Sequence, residues 1–157
     1  MNDAATMIAA QLLDGARSIL VIDWPSVDVP DTLAASGRAV VVKGGPGSHD
    51  YSERMIGVDG AIVVRAVERT THVDLVYCHR PLGELMGIVG LARELGATAL
   101  WYQSGFSEDG VQDPAGCWLS GEAANRARRI VEAAGLGFVH DVYIADAARA
   151  LGPSSFG

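Results

Sequence analysis

Hydrophobic residues in this chain fall into short continuous runs that alternate with segments of helical spacing. The continuous runs, which are typical of strands buried on both faces, cover residues 18–22, 39–42, 72–79, 97–103 and 137–143. Apolar positions at helical spacing predict helices over residues 4–14, a short segment that closes at Gly37, and residues 81–96, 120–134 and 144–151. Strands that alternate with helices through short turns predict an α/β fold whose parallel sheet carries helices on both faces.

One segment interrupts this alternation. Asp59-Gly60 lies between two runs of alternating apolar residues, which predicts an antiparallel hairpin with strands at about 53–58 and 61–67. We expect this hairpin at a sheet edge or as an insertion. The whole chain, residues 1–157, is predicted to form a single Rossmann-like three-layer domain, with a mainly parallel five-stranded sheet of order 3-2-1-4-5 beside the hairpin. A long polar loop over residues 104–119 is of the kind that is functional or disordered.

The composition narrows the classes of molecule that the protein is expected to bind. The 157 residues suffice for one domain with a real core, and the formal net charge is −7. The basic residues cluster only on one predicted helix, where neighbouring glutamates indicate a solvated face: Arg126, Arg128 and Arg129 beside Glu122 and Glu132. An acidic chain of this kind is not expected to bind nucleic acid.

Neither a membrane segment nor a metal site is predicted. No apolar run approaches the roughly 20 residues that span a bilayer, and the first residues lack the basic start of a signal peptide. We therefore expect a cytoplasmic protein. Cys78 and Cys117 form no C-x-x-C pair and the four histidines are scattered, so the spacing is not that of a metal site and favours reduced thiols.

The carboxyl ends of the predicted strands are where a ligand is expected. In an open parallel sheet, ligands bind in the crevice at which strand order reverses, here between the strand that ends at Ile22 and the strand that ends at His79. Free amides and a cation meet just before the helix that opens with Pro81, and the glycine-rich loop after the second strand can form an anion-binding nest. The residues predicted to bind a ligand or cofactor are Trp24, Pro25, Lys43, Gly44, Gly45, His79, Arg80, Gln103, Ser104 and Gly105.

Three strand-end residues allow two interpretations each. Trp24 either caps the core or stacks on a ligand. Gln103 is polar in an otherwise apolar run, so its side chain needs a partner from the backbone or from a ligand if it is buried. Asp141 either binds a ligand or caps the last helix.

The chain from Val73 onward carries motifs of a known family. The third parallel strand is followed by Arg80, the next strand runs into an aromatic-x-Gln-x-Gly motif, "WYQSG" over residues 101–105, and Gly135-Leu136 precedes the last strand. These segments resemble the small stand-alone bacterial CoA-binding proteins, which are similar to the CoA-binding domain of the succinyl-CoA synthetase alpha subunit. The resemblance covers the second half of the chain and implies a Rossmann-type domain with CoA or acyl-CoA as its ligand.

The first half departs from that family at the phosphate loop. The family has a Gly-Ala-Ser turn after the first strand, whose amides hold the CoA pyrophosphate, whereas this chain has the degenerate turn Ile22-Asp23-Trp24. The tryptophan fills volume that glycine leaves open, Pro25 lacks an amide donor, and the Asp23 carboxylate repels a pyrophosphate. The CoA phosphates are then expected nearer Arg80 and the loop that begins at Lys43.

Three classes of function remain open. A binding protein would take CoA, acyl-CoA or another nucleotide at the strand ends. An enzyme on the same scaffold would have lost CoA binding and would draw its acid–base groups from His79, Asp23, Asp141, Tyr143 and Cys78. An interaction module would need no small ligand, and exposed apolar surface on the hairpin would then support contacts such as those of a homodimer.

Overall fold

The structure is a computed structural model that describes residues 3–43, 51–67, 70, 72–103 and 121–152. Its α-helices are α1 (Asp3–Asp14), α2 (Asp28–Ala35), α3 (Leu85–Glu94), α4 (Gly121–Ala133) and α5 (Ile144–Leu151). Its strands are β1 (Ser18–Ile22), β2 (Ala39–Lys43), β3 (Tyr51–Ile56), β4 (Ile62–Val67), β5 (Leu75–Cys78), β6 (Ala99–Tyr102) and β7 (Gly137–His140). A short 3₁₀ turn, Leu82–Glu84, leads into α3.

The strands form one seven-stranded sheet of order β4-β3-β2-β1-β5-β6-β7. Five neighbouring strands of the sheet run parallel: β2, β1, β5, β6 and β7. Strand β3 pairs antiparallel with β2, and β4 pairs antiparallel with β3. The predicted mainly parallel five-stranded sheet of order 3-2-1-4-5 is therefore wrong. The hairpin belongs to the sheet itself, and because β3 covers the outer edge of β2, the third parallel strand, β5, pairs with β1 instead.

The sheet is buried on both faces by two separate apolar clusters. Along β1, Ile19 and Val21 belong to one cluster while Leu20 and Ile22 belong to the other, because successive side chains of a strand point to opposite faces. The first cluster contains side chains of α1, α2 and α5, and the second contains side chains of α3 and α4. Within the described ranges, no helix is long and apolar enough to cross a membrane.

The parallel strands deliver five chain segments to the same edge of the sheet. Strand β1 leads into α2 on one face, whereas β5 leads into α3 on the other face. In the observed order, the point at which the connections diverge lies between β1 and β5. A crevice at their carboxyl ends is the expected ligand position in a sheet of this kind.

Arg38 ties α1 to the start of β2. Its side chain is buried, and its guanidinium donates to the carbonyls of Ala16 (3.1 Å) and Leu13 (3.0 Å) and to the Ser36 hydroxyl (2.8 Å). Burial lowers the pKa of Arg38 below its usual range. Arg38 thus donates hydrogen bonds to backbone carbonyls at the end of α1 that are buried away from water.

Replacing Arg38 by alanine should lower the free energy of unfolding by about 2–3 kcal/mol, because buried carbonyls would lose their donors. Urea denaturation followed by circular dichroism measures this loss. The matched control is Arg129→Ala on the exposed side of α4, which should cost less than about 0.5 kcal/mol. Equal losses for the two variants would contradict the role given to Arg38.

Candidate functional site

The turn after β1 has a left-handed residue where the chain enters the crevice. Asp23 has φ 61°, a backbone conformation that glycine adopts freely and aspartate tolerates. Its Oδ1 accepts a hydrogen bond from the Trp24 N–H at 2.9 Å, and its own N–H donates to the carbonyl of Lys43 at 3.3 Å. The first two amides of the turn therefore already have partners within the protein.

Arg80 spans the crevice between the ends of β1 and β5. Its Nη1 donates to Asp23 Oδ2 at 2.9 Å, while Nε and Nη2 donate to the two carboxylate oxygens of Glu84 at 3.1 and 2.7 Å. The Tyr102 hydroxyl donates to the carbonyl of Arg80 at 2.8 Å and fixes its backbone. The hydrogen bonds to Glu84 and Asp23 raise the pKa of the guanidinium, so Arg80 is a permanent cation at this point.

Trp24 lies beside the turn with a cation over its ring. The Arg54 guanidinium is 5.4 Å from the ring centroid, and its Nη1 donates to Asp31 Oδ1 at 2.7 Å. The indole is half-buried and packs against the first apolar cluster. This environment favours the core-capping interpretation of Trp24, because Arg54 holds the position that a stacked ligand would need on that side of the ring.

His79 and Gln103 form a buried polar pair at the ends of β5 and β6, with exposed fractions of 5% and 6%. The His79 Nδ1 lies 3.2 Å from the carbonyl of Gln103, so Nδ1 carries the proton and donates. The side-chain Oε1 of Gln103 is buried and accepts no hydrogen bond from the part of the chain that the structure describes. The hydroxyl of Tyr77, on β5, is buried and equally without a partner there, and burial raises its pKa.

Beyond β7, hydrogen bonds hold the chain that leads into α5. Asp141 has φ 54° and its Oδ2 lies 3.4 Å from His140 Nδ1, while the Trp101 indole donates to the carbonyl of Val142 at 2.7 Å. The N-cap residue of α5 is Tyr143, not Asp141. Asp141 therefore stands two residues before the N-cap position of the last helix.

The catalytic candidates are held by different partners. Asp23 is bonded to Arg80, His79 to the Gln103 carbonyl, Asp141 to His140, and Tyr143 donates to Asp28 Oδ2 at 2.9 Å. Cys78 is fully buried, and burial raises the pKa of its thiol, which keeps it in the unreactive protonated form. Among the described residues, no group of His, Cys, Asp and Glu could hold a metal ion.

The other predicted ligand contacts lie at the ends of β1 and β2 or outside the described residues. Lys43 ends β2 with its Nζ 6.0 Å from the centroid of the Tyr51 ring, and Pro25 is exposed in the turn after β1. The remaining predicted positions lie outside the described residues: Gly44, Gly45, Ser104 and Gly105.

Two contributors to the site were not predicted from the sequence. Glu84 stands four residues after Arg80 at the opening of a helix, a spacing at which opposite charges commonly pair, so it could have been found. Tyr102 offers no such signal, because an aromatic residue in an apolar strand is normally part of the core.

Two surface grooves lie away from the strand ends. One, of about 310 Å³, is lined by residues of β2 and β3 and by the end of α2. The other, of about 270 Å³, lies between the 3₁₀ turn and α4, beside Met86. Neither is lined by the strand-end residues described above, so these grooves do not define the candidate site.

The comparisons with known proteins support the fold alone. No family model matches the chain, and no curated protein matches it. Among solved structures, the chain resembles Prb, a PH1109 protein redesigned for binding, with a TM-score of 0.58, 16% identity and coverage of 97% of this chain and 96% of that one. It also resembles the cell-free ID.343 protein from Thermus thermophilus, with a TM-score of 0.54, 19% identity and coverage of 96% and 99%.

Asp28 gives a prediction for the pH dependence of stability. Hydrogen bonds from Arg149, and then from Tyr143, lower the pKa of Asp28 in the folded protein. A carboxylate whose pKa is lowered by folding stabilises the folded protein at pH values above its unfolded pKa of about 3.9. This contribution is lost as the pH falls through the pKa of the folded protein. Asp28→Asn should therefore destabilise the protein at neutral pH, by less than about 1 kcal/mol because the carboxylate is partly exposed, and lose this effect in acid.

Urea midpoints of the wild type and of Asp28→Asn at about pH 6 and about pH 2.5 test this. Tyr143→Phe, which removes one of the three side chains that donate to Asp28 (Arg149, Tyr143 and Thr32), should give a smaller difference of the same sign. A gap between wild type and Asp28→Asn that is as large in acid as at neutral pH would contradict the assignment.

Proposed function

We propose that this protein binds CoA, acyl-CoA or a related nucleotide in the crevice between the carboxyl ends of β1 and β5. The observation that carries the proposal is the position of Arg80, whose guanidinium spans the crevice and is partly exposed. The resemblance of the second half of the chain to CoA-binding proteins supports the same ligand class. A cytoplasmic location is part of the proposal, because the buried Cys78 is a free thiol and reduced thiols are usual there.

Arg80 can hold a phosphate by anion exchange. Its donors now point at the carboxylates of Asp23 and Glu84, and a phosphate oxygen can take the place of the Asp23 oxygen without leaving the cation unpaired. Arginine suits this role because its guanidinium is always charged and carries several donors, so Nη1 can contact a phosphate while Nε and Nη2 stay bonded to Glu84. Binding exchanges the contact of Arg80 with Asp23 for a contact with phosphate. The free energy gained is the difference between these two charge-assisted contacts, so a modest affinity is expected.

The amides of the first turn do not support the family's usual mode of pyrophosphate binding. The N–H of Trp24 is bonded to the Asp23 side chain, and the N–H of Asp23 is bonded to Lys43. Pro25, next in the turn, has no N–H. A phosphate is therefore expected on the Arg80 side of the crevice, with Lys43 as a second cation at the end of β2.

The side chain of Gln103 could orient a bound ligand. Its buried Oε1 has no donor within the described part of the chain, and a buried polar atom of this kind is normally paired. His79, bonded to its carbonyl, fixes the neighbouring backbone. A ligand that carries an N–H or O–H group near its phosphate could satisfy this oxygen, and CoA and its acyl derivatives offer several such groups.

The contacts favour binding over the enzyme alternative. Catalysis by acid–base groups needs a base within reach of the proton that it takes and a third group that orients it. Among the described contacts, Asp23 is bonded to Arg80 and Tyr143 donates to Asp28, and both partners lie outside the set of acid–base candidates.

Arg80→Gln should weaken CoA binding by about 10-fold or more, because a charge-assisted contact to phosphate is lost. Isothermal titration calorimetry with CoA measures the change. The matched control is Arg149→Gln, since Arg149 is also held between two carboxylates, Asp28 and Asp146, but on α5. An equal loss in both variants would contradict a specific role for Arg80, and no binding by the wild type at millimolar CoA would overturn the CoA assignment.

Asp23→Asn should strengthen CoA binding by up to about 10-fold, because the competing carboxylate is neutralised. Asparagine tolerates the left-handed backbone of this position and can still accept the Trp24 N–H. Asp146→Asn makes the same charge change away from the crevice and should leave affinity unchanged. Tighter binding of phosphate-free pantetheine by Asp23→Asn would show that charge exclusion of a phosphate is not the cause.

A further inference from the structure

The hairpin ends the described sheet in a strand edge without the usual protection. Strand β4 is the terminal strand of the sheet, and its register with β3 runs without a bulge from Ile56↔Ile62 to Tyr51↔Val67. Its sequence, "IVVRAV", contains neither proline nor lysine. Proteins normally blunt an exposed edge with proline, charged side chains or bulges. Strand β4 has one charged residue, Arg65, whose charge is paired with Glu53 on β3, so its edge is suited to pairing with another strand.

The backbone of β4 presents its outward groups at every second residue. Gly57 N–H donates to the carbonyl of Ala61 at 2.7 Å, which directs the polar groups of residue 61 toward β3. Because these groups alternate in direction along an antiparallel strand, the N–H and C=O groups of Ile62, Val64 and Ala66 point to the open edge.

The side chains of the hairpin are unusually apolar for a surface. Val64 is 57% exposed and Val63 is 47% exposed on β4, and Met55 and Ile56 on β3 are exposed to a similar degree. The turn residue Val58 is fully exposed. Met55 lies opposite Val63 on one face of the hairpin, and Ile56 lies with Val64 on the other face, so both faces beside the β4 edge carry exposed apolar residues of the kind that mark an interaction surface.

The charge of the hairpin allows a second copy of the same chain to approach. The chain carries a formal net charge of −7, yet residues 51–67 contain two acidic residues, Glu53 and Asp59, and two arginines, Arg54 and Arg65, and are neutral. Arg65 is paired with Glu53 on the neighbouring strand. This surface therefore lacks the like-charge repulsion that two acidic chains would otherwise meet.

We infer that β4 pairs antiparallel with β4 of a second copy, around a two-fold axis at Val64. In this register Val64 faces its own counterpart and Ile62 faces Ala66 of the second copy, so that the outward N–H and C=O groups bond to one another. Arg65 lies opposite Val63 of the second copy, where its aliphatic stem can pack. An axis at Arg65 would instead oppose two like charges, which is unfavourable.

The interface is distinct from the crevice between β1 and β5, and it does not depend on the proposed ligand. Strands β2 and β3 separate β4 from β1 in the sheet. A strand-edge contact is small, so the dimer should be weak and its population should depend on protein concentration.

Sedimentation equilibrium of the full chain over a range of concentrations tests the inference. Val64→Lys places two like charges opposite each other at the axis and should raise the dimer dissociation constant by about tenfold or more. Val58→Lys makes the same substitution in the turn, outside the paired residues, and should leave the dissociation constant within about twofold of wild type. Thermal melts of both variants, recorded in parallel, establish that each is folded.

Hydrogen exchange gives a second readout that does not depend on a variant. The amides of Ile62, Val64 and Ala66 should gain protection as the wild-type concentration rises, whereas those of Val63 and Arg65, already directed toward β3, should not change. A wild type that stays monomeric to near-millimolar concentration would overturn the inference. A dimer that both lysine variants weaken equally, or that neither weakens, would overturn it as well.

Discussion

The central position of β1, paired in parallel on both sides, is the constraint on which the rest of the structure depends. It pairs with β2 along one edge and with β5 along the other, so neither edge is free. With both faces also buried, the strand can consist of almost nothing but apolar residues. The chain leaves β1 for α2 on one face of the sheet and leaves β5 for α3 on the other face. This divergence opens the crevice in which Asp23 and Arg80 meet.

The elements of the fold could be predicted from the sequence, whereas their order in the sheet could not. Apolar runs such as "SILVI" predict buried strands, and Asp59-Gly60 predicts the hairpin, because both signals depend only on neighbouring residues. Strand order depends on which edges are already occupied. The pattern of the hairpin residues does not show that β3 closes the outer edge of β2, and this contact decides where β5 enters.

A similar limit applies to the candidate site. The positions of Arg80 and Gln103 just beyond strands could be predicted, because strand ends follow from the apolar runs. Their partners could not, except for Glu84, whose spacing from Arg80 is that of a helical ion pair. The contact of Arg80 with Asp23 joins residues 57 apart in the chain and exists only because β1 and β5 are neighbours.

The left-handed backbone of Asp23 has a consequence for which residues this turn can accept. At φ 61° the residue occupies a conformation that glycine adopts without strain, so the path of the main chain does not require the side chain that is present. A glycine at this position would fit the same path. The main-chain path and the charge of the turn are therefore separable at this residue, because a glycine would keep the path and remove the carboxylate that contacts Arg80.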